Sequence, residues 1–224
     1  MADATFTNQM NSILKGMRTG DVKTKGNKGE EAVFKLCEQI YQRHGGILYH
    51  SYEYKVDEKL PGNIKRKNGS LYVERLGTST EIDILYVSPY RVFPIEVKSY
   101  SAKNSAITLT DDAISGCKVT EKSPIHQNEM HCRHLYSSIF RALPDGDPNY
   151  IVPIVVFVDR CKLVDKRSDW QKRYILPSIL NNIKAVMIHN NVAGKYSINL
   201  NIMENCLKEA EISSAKHLPV RYVQ

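Results

Sequence analysis

Thr80-Glu-Ile-Asp83-Ile-Leu-Tyr-Val87-Ser-Pro-Tyr-Arg91-Val-Phe-Pro-Ile-Glu96-Val-Lys98 is the stretch that decides the reading of this chain. Two runs rich in β-branched and aromatic residues flank Ser88-Pro-Tyr-Arg91, a turn-forming tetrapeptide, and so predict two antiparallel strands. Side chains alternate between the two faces of a strand. Glu81 to Val87 therefore groups Asp83, Leu85 and Val87, and Val92 to Lys98 groups Glu96 with Lys98, leaving Ile95 and Val97 to face the other way. Two acids and a lysine thus lie within otherwise apolar strands, where a charge is costly unless it is paired or holds a metal.

That set suits phosphodiester hydrolysis. The reaction calls for a divalent cation held by carboxylates, which polarises the phosphoryl oxygen and helps to deprotonate a water. It also calls for a positive group that stabilises charge in the transition state. The competing reading of Glu96 and Lys98 is an exposed ion pair worth ~0–1 kcal/mol. Asp83 on the neighbouring strand weighs against it.

Outward from this hairpin, Val33, Leu36, Cys37 and Ile40 recur at the spacing of one helical face, predicting a helix that follows Gly29 and ends at His44-Gly45-Gly46. Glu30 extends that stripe, although a carboxylate near a helix start is also favoured by the dipole alone. Ile47 to Lys55 reads as a strand, Leu60 to Gly69 as a basic, turn-rich connection, and Leu71 to Leu76 as a returning strand. Ala106 to Leu109 is a further short strand. Pro124 to Leu143 is helical, with Ser123 as N-cap and Pro124 in the first turn. Ile151 to Val158 is a strand covered on both faces. A helix near Arg173 to Asn182, a strand near Ala185 to His189 and a helix near Met203 to Glu211 complete the expected order, and Met10 to Met17 suits a short helix. The class is α/β, a central mixed β-sheet flanked by helices.

These motifs resemble the PD-(D/E)XK nuclease superfamily, and within it the nuclease-related domain (NERD) group. Gly26-Asn-Lys-Gly29-Glu30 resembles that group's Gly-x-x-Gly-Glu, Thr80-Glu-Ile-Asp83 its Thr-x-Ile-Asp, and Phe93-Pro-Ile-Glu96-Val-Lys98 its Glu-x-Lys strand. Ser123-Pro-Ile-His-Gln127 resembles its Asn-Pro-x-x-Gln, with Ser in place of Asn, and no proline precedes Asp83. The likeness spans roughly residues 26 to 160. It implies a restriction-endonuclease-like core in which Asp83 and Glu96, with the carbonyl of Val97, bind Mg²⁺ or Mn²⁺. It further implies that Lys98 orients the attacking water or stabilises the pentavalent phosphorus. Glu30 would approach the metal directly or through water, and Gln127 would sit at the edge of the site.

The bulk properties fit such a protein. The chain has 224 residues, 42% hydrophobic and 25% charged, enough for one α/β domain. We read residues 26–224 as a single nuclease-like domain behind an N-terminal extension, 1–25. Lysine and arginine outnumber acids by 31 to 24, a formal charge of +7 that favours polyanionic partners. Lys65, Arg66 and Lys67 are the candidate nucleic-acid contacts. No secretory signal or membrane-spanning run is evident, and the 5 cysteines form no CxxC pair, so a cytoplasmic protein with reduced thiols is expected. Cys117, His126, His131, Cys132 and His134 fit no standard zinc spacing. The function these features point to is a Mg²⁺-dependent deoxyribonuclease, endonuclease rather than exonuclease. DNA is the expected partner with RNA as the other candidate substrate, and a homodimer is one arrangement that would cut both strands. The alternative is a catalytically silent module of the same fold that binds nucleic acid or a protein partner.

Overall fold

The computed structural model describes residues 22–56, 64–67, 70–73, 79–100, 106–111, 113–116, 124–158, 162–172, 175–191 and 196–223. Helix α1 (Val22–His44) leads into β1 (Gly46–Lys55), the hairpin β2 (Ile64–Lys67) and β3 (Ser70–Val73), then β4 (Ser79–Val87) and β5 (Val92–Lys98). Short strands β6 (Ala106–Leu109) and β7 (Ile114–Ser115) precede α2 (Pro124–Ile139), β8 (Ile154–Phe157) and β9 (Lys162–Asp165). After a single helical turn, Asp169–Lys172, come β10 (Leu176–Ile179), α3 (Ile183–Asn190), α4 (Leu200–Ala210), β11 (Glu211–Ser213) and β12 (Lys216–Arg221).

The central sheet has seven strands in the order β10-β8-β5-β4-β1-β11, with β12 also pairing to β1. β10, β8 and β5 run parallel, and β4, β1, β11 and β12 add antiparallel pairs, so the sheet is mixed. On one face Leu48, Ile84, Tyr86, Phe93, Ile95, Val97, Ile154 and Val156 pack against Val33, Phe34, Leu36, Cys37 and Ile40 of α1 and Ile183 and Met187 of α3. On the other, Tyr49, Leu85, Val87 and Val92 meet Leu135 and Ile139 of α2 and Met203 and Leu207 of α4. The small sheet β7-β6-β9 packs Ile107 and Leu109 over Val155 and Phe157. β8 is thus covered on both sides, which explains its unbroken apolar run. This is the α/β class expected from the sequence, a central mixed sheet flanked by helices.

Several elements differ from the sequence reading. α1 begins at Val22, so Glu30 stands well inside the helix and the first-turn dipole has no special claim on it. Residues 64–67 form a strand instead of a loop, paired Lys65↔Tyr72, Arg66↔Leu71 and Lys67↔Ser70. The helix expected at Arg173 to Asn182 is largely strand β10, and the strand expected at Ala185 to His189 is helix α3. Pro177 is tolerated in β10 because that strand lies at the sheet edge. Strands β11 and β12 were not anticipated. Ser123, Cys117 and the Met10 to Met17 segment lie outside the described residues. Among the described residues no helix is long and apolar enough to cross a membrane.

The start of β1 carries a sharp constraint. Gly46 has φ 112°, and a Cβ there would meet the Val87 carbonyl oxygen at 2.0 Å. Neither a left-handed L-residue nor that overlap is tolerable without moving β4. Gly46→Ala should therefore cost about 3 kcal/mol or more, read as a lowered denaturant midpoint.

Candidate active site

Asp83, Glu96 and Lys98 meet where β4 and β5 part. The antiparallel ladder between them runs from Val87↔Val92 to Ile84↔Ile95 and stops there. Beyond that point Asp83 fills the gap: its Oδ2 accepts the backbone N–H of Val97 at 2.7 Å. β5 itself continues alongside β8, pairing Glu96↔Val155 and Lys98↔Phe157. A carboxylate in place of a carbonyl thus ends the ladder and opens a fork at one end of the sheet.

β1 is irregular at the same level. Its register with β4 passes from His50↔Ile84 to Tyr52↔Ile82, and Ser51 between them has φ 51°. Odd-numbered Tyr49 and even-numbered Tyr52 and Tyr54 consequently share one cluster, as do Leu85 and Ile82 of β4. Simple alternation, which grouped Asp83 with Leu85, breaks here and lets the Asp83 side chain reach across to β5. The tyrosines are core residues, with Tyr52 donating to the Leu207 carbonyl and Tyr54 to the His131 carbonyl, each at 2.8 Å.

Glu96 is buried, its side chain 1% exposed, and Lys98 Nζ lies 2.6 Å from its Oε1. The pair is therefore not the solvated surface bridge of the simpler reading. Lys98 also donates to Gln127 Oε1 at 3.1 Å, which places the first turn of α2 over the site. Burial pushes the Glu96 carboxyl up to about 8, with the Asp83 charge adding to the effect and Lys98 opposing it. Asp83 is raised by burial and by Glu81, while the Val97 N–H and Lys98 pull it down. Glu30, arriving on α1, is raised by burial first and then by Asp83 and Glu81. Acids that raise one another in a partly dry pocket favour a cation among them.

α1 comes this close because of Gly29, which is buried against Val158, the residue that follows β8. A Cβ there would lie 2.9 Å from Val158 Cγ2. Gly29→Ala should push the helix outward and carry Glu30 with it. The expected result is roughly a tenfold fall in activity with a stability change below about 2 kcal/mol, read from initial rates beside thermal unfolding.

Could these residues hold a divalent cation? Among the described residues no group of three or more His, Cys, Asp and Glu side chains is arranged to hold a metal ion. The donor set nevertheless fits Mg²⁺ or Mn²⁺, which are bound through one or two carboxylates with waters and substrate phosphate completing the shell. Burial supports that fit, because Glu96, Asp83 and Glu30 are all raised by it and a cation among them offsets that cost. The oxygen-only character of Asp83, Glu96 and Glu30 argues against zinc, which prefers nitrogen and sulfur. His126 instead faces Glu129 at 3.5 Å and His131 faces Glu96.

Two residues beside the site carried no role in the sequence reading. Asn128 is fully buried and its Nδ2 donates to the carbonyls of Ile154 at 2.9 Å and Pro94 at 3.3 Å, fastening α2 to β5 and β8. His131 sits one turn further along α2 with Nδ1 3.5 Å from Glu96 Oε2. The spacing of Gln127 and His131, four apart, is the signal that could have found the second of them. Lys65, Arg66 and Lys67 belong to the separate hairpin. That insertion leaves β1 after Lys55 and re-enters at Ser79, residues that pair with each other. Antiparallel pairing puts this end of the sheet on the same side as Lys98.

Comparison with known proteins bears on the same segment. The model of the nuclease-related domain matches residues 25–158, from Glu30 through Asp83, Glu96, Lys98 and Gln127 to the end of β8. No curated protein and no solved structure matches the chain. The matched region exceeds half of the sequence, and the chain belongs to the nuclease-related domain family.

Proposed function

We propose that this chain is a Mg²⁺-dependent deoxyribonuclease that cuts phosphodiester bonds within DNA. The observation that carries the reading is the convergence of Asp83, Glu96 and Lys98 at the β4–β5 fork, with Gln127 on Lys98 and Glu30 approaching from α1. Asp83 and Glu96 would hold the cation, with the Val97 carbonyl as a further oxygen donor. When bound, the cation polarises the phosphoryl oxygen and lowers the cost of deprotonating a water. Lys98, held between Glu96 and Gln127, is positioned to orient the attacking water and to stabilise charge that builds on the phosphate. Glu30 adds a carboxylate that can accept a proton from that water. Gln127 keeps the Lys98 ammonium from collapsing wholly onto Glu96.

Lys65, Arg66 and Lys67 would track the backbone. The hairpin that carries them springs from the sheet end nearest Lys98, and a two-stranded ribbon fits a DNA groove. Each phosphate contact contributes ~0.9 to the slope of log affinity against log salt. Replacing all three with Ala should weaken duplex binding and flatten that slope by about 2–3, measured by fluorescence anisotropy between 50 and 200 mM salt.

The reading is tested by offering metal-loaded protein closed circular DNA and an RNA of matching length. Breakage of the circle, which has no ends, is expected. Exclusive cleavage of the RNA would overturn the assignment to DNA, and a requirement for free ends would overturn internal cutting.

A further inference from the structure

The face of α2 repeats the spacing of β5. Gln127 and His131, four apart on the helix, advance ~6 Å, and Glu96 and Lys98, two apart on the strand, advance ~6.7 Å. The helix pair therefore meets the strand pair in register. Gln127 meets Lys98, and His131 Nδ1 lies 3.5 Å from Glu96 Oε2. Lys98 occupies Glu96 Oε1 at 2.6 Å, whereas Glu96 Oε2 and His131 Nδ1 are both buried and neither has a hydrogen-bond partner. The His131 segment is held firmly from behind. Its carbonyl accepts the hydroxyl of Tyr54 at 2.8 Å, and Tyr54 stacks on Tyr52 with ring centres 5.2 Å apart. Asn128 pins the preceding turn to β5 and β8.

We propose that His131 is a positioning residue for Glu96, donating Nδ1–H to Oε2 and so fixing which carboxylate oxygen faces a divalent cation. The inference rests on the reading of Glu96 as a metal-binding carboxylate. A buried carboxylate with one oxygen unserved costs free energy and has only the Lys98 contact on Oε1 to fix its rotation about the last bond. A small shift of the ring closes the 3.5 Å separation to hydrogen-bond distance and removes both problems. Groups that orient a metal-ligating side chain in this way are worth 10–100-fold in metal affinity. A residue that merely filled space would be replaceable by any side chain of similar volume.

The test is Mn²⁺ binding by calorimetry to the full chain, its Glu96→Ala variant, and His131→Leu and His131→Asn. Binding by the wild type that Glu96→Ala removes upholds the underlying reading. Failure of the wild type to bind, or unchanged binding by Glu96→Ala, overturns that reading and the role of His131 with it. Given the first result, His131→Leu should bind Mn²⁺ 10–100-fold more weakly. His131→Asn, whose amide nitrogen stands as many bonds from the backbone as Nδ1, should stay within about threefold. Equal affinity in His131→Leu overturns the positioning role alone. A second measurement needs no variant. Nitrogen-15 spectra of the wild type with Mg²⁺ should show the His131 proton on Nδ1, and a ring protonated only on Nε2 would overturn the proposal.

Discussion

Replacing Glu96 with Gln should abolish metal-dependent cleavage and, without metal, make the protein more stable at pH 8. The first effect is a loss of about 1,000-fold or more, because the amide keeps the shape but surrenders the charge that holds the cation. The second follows from burial. The Glu96 carboxyl is raised to about 8 in the folded protein, against an unfolded value near 4.5. Between those values the folded state binds a proton that the unfolded state releases, so stability falls as pH rises through this window. Each unit of displacement corresponds to about 1.4 kcal/mol. Gln carries no such penalty, and Lys98 keeps a partner in Gln127. In EDTA at pH 8 the variant should outlast the wild type by ~2 kcal/mol in urea unfolding, with the gap closing towards pH 5. A wild type whose stability does not fall between pH 5 and 8 would contradict the burial argument.

Asn128→Ala should lower both stability and cleavage although it leaves the proposed catalytic groups in place. Asn128 is fully enclosed and serves the carbonyls of Ile154 and Pro94, on adjacent parallel strands. Two buried hydrogen bonds and the volume of an amide are lost together, a cost of about 2–4 kcal/mol. The consequence for activity is larger than a surface change would give. Gln127 and His131 flank Asn128 on the helix, and a shift of ~1 Å at Lys98 can cost 100-fold in rate. The expected outcome is a lowered unfolding midpoint together with a fall in cleavage measured well below that midpoint. Loss of stability with activity intact would mean that α2 needs no such anchor.

The central hairpin was readable because its two strands carry short alternating patterns around a turn that closes through Ser88 and Arg91. The acids stood out against apolar neighbours, and the Asp83 and Glu96 motifs lie on the strands expected to bear them, whereas the Gly29 motif lies within α1 and not at its start. What the sequence concealed has physical causes. The break in alternation at Ser51 and Asp83 is invisible to periodicity, because it depends on one left-handed residue that nothing local demands. β10 and α3 were exchanged because Ala185 to Ile188 is a short continuous apolar run, which periodicity cannot distinguish from a strand. Burial of Ile183 and Met187, four apart, settles α3 as helix. β11 and β12 are short and mostly exposed, so they exist by pairing with β1 and have little hydrophobic pattern of their own. Asn68-Gly69 between residues that pair as Lys67↔Ser70 was a two-residue hairpin signal available from the start. His131 was hidden among neighbouring histidines and cysteines, and only the placement of α2 over β5 singles it out.

The most direct test of the account is cleavage of supercoiled plasmid by the wild type and by Lys98→Ala, each with Mg²⁺, Mn²⁺ or EDTA. Nicking that requires Mg²⁺ or Mn²⁺, stops in EDTA and falls by at least about 100-fold in the variant is the predicted result. Intact plasmid after incubation with folded, metal-supplied wild type, or equal nicking by Lys98→Ala, would contradict the assignment of catalysis to the β4–β5 fork.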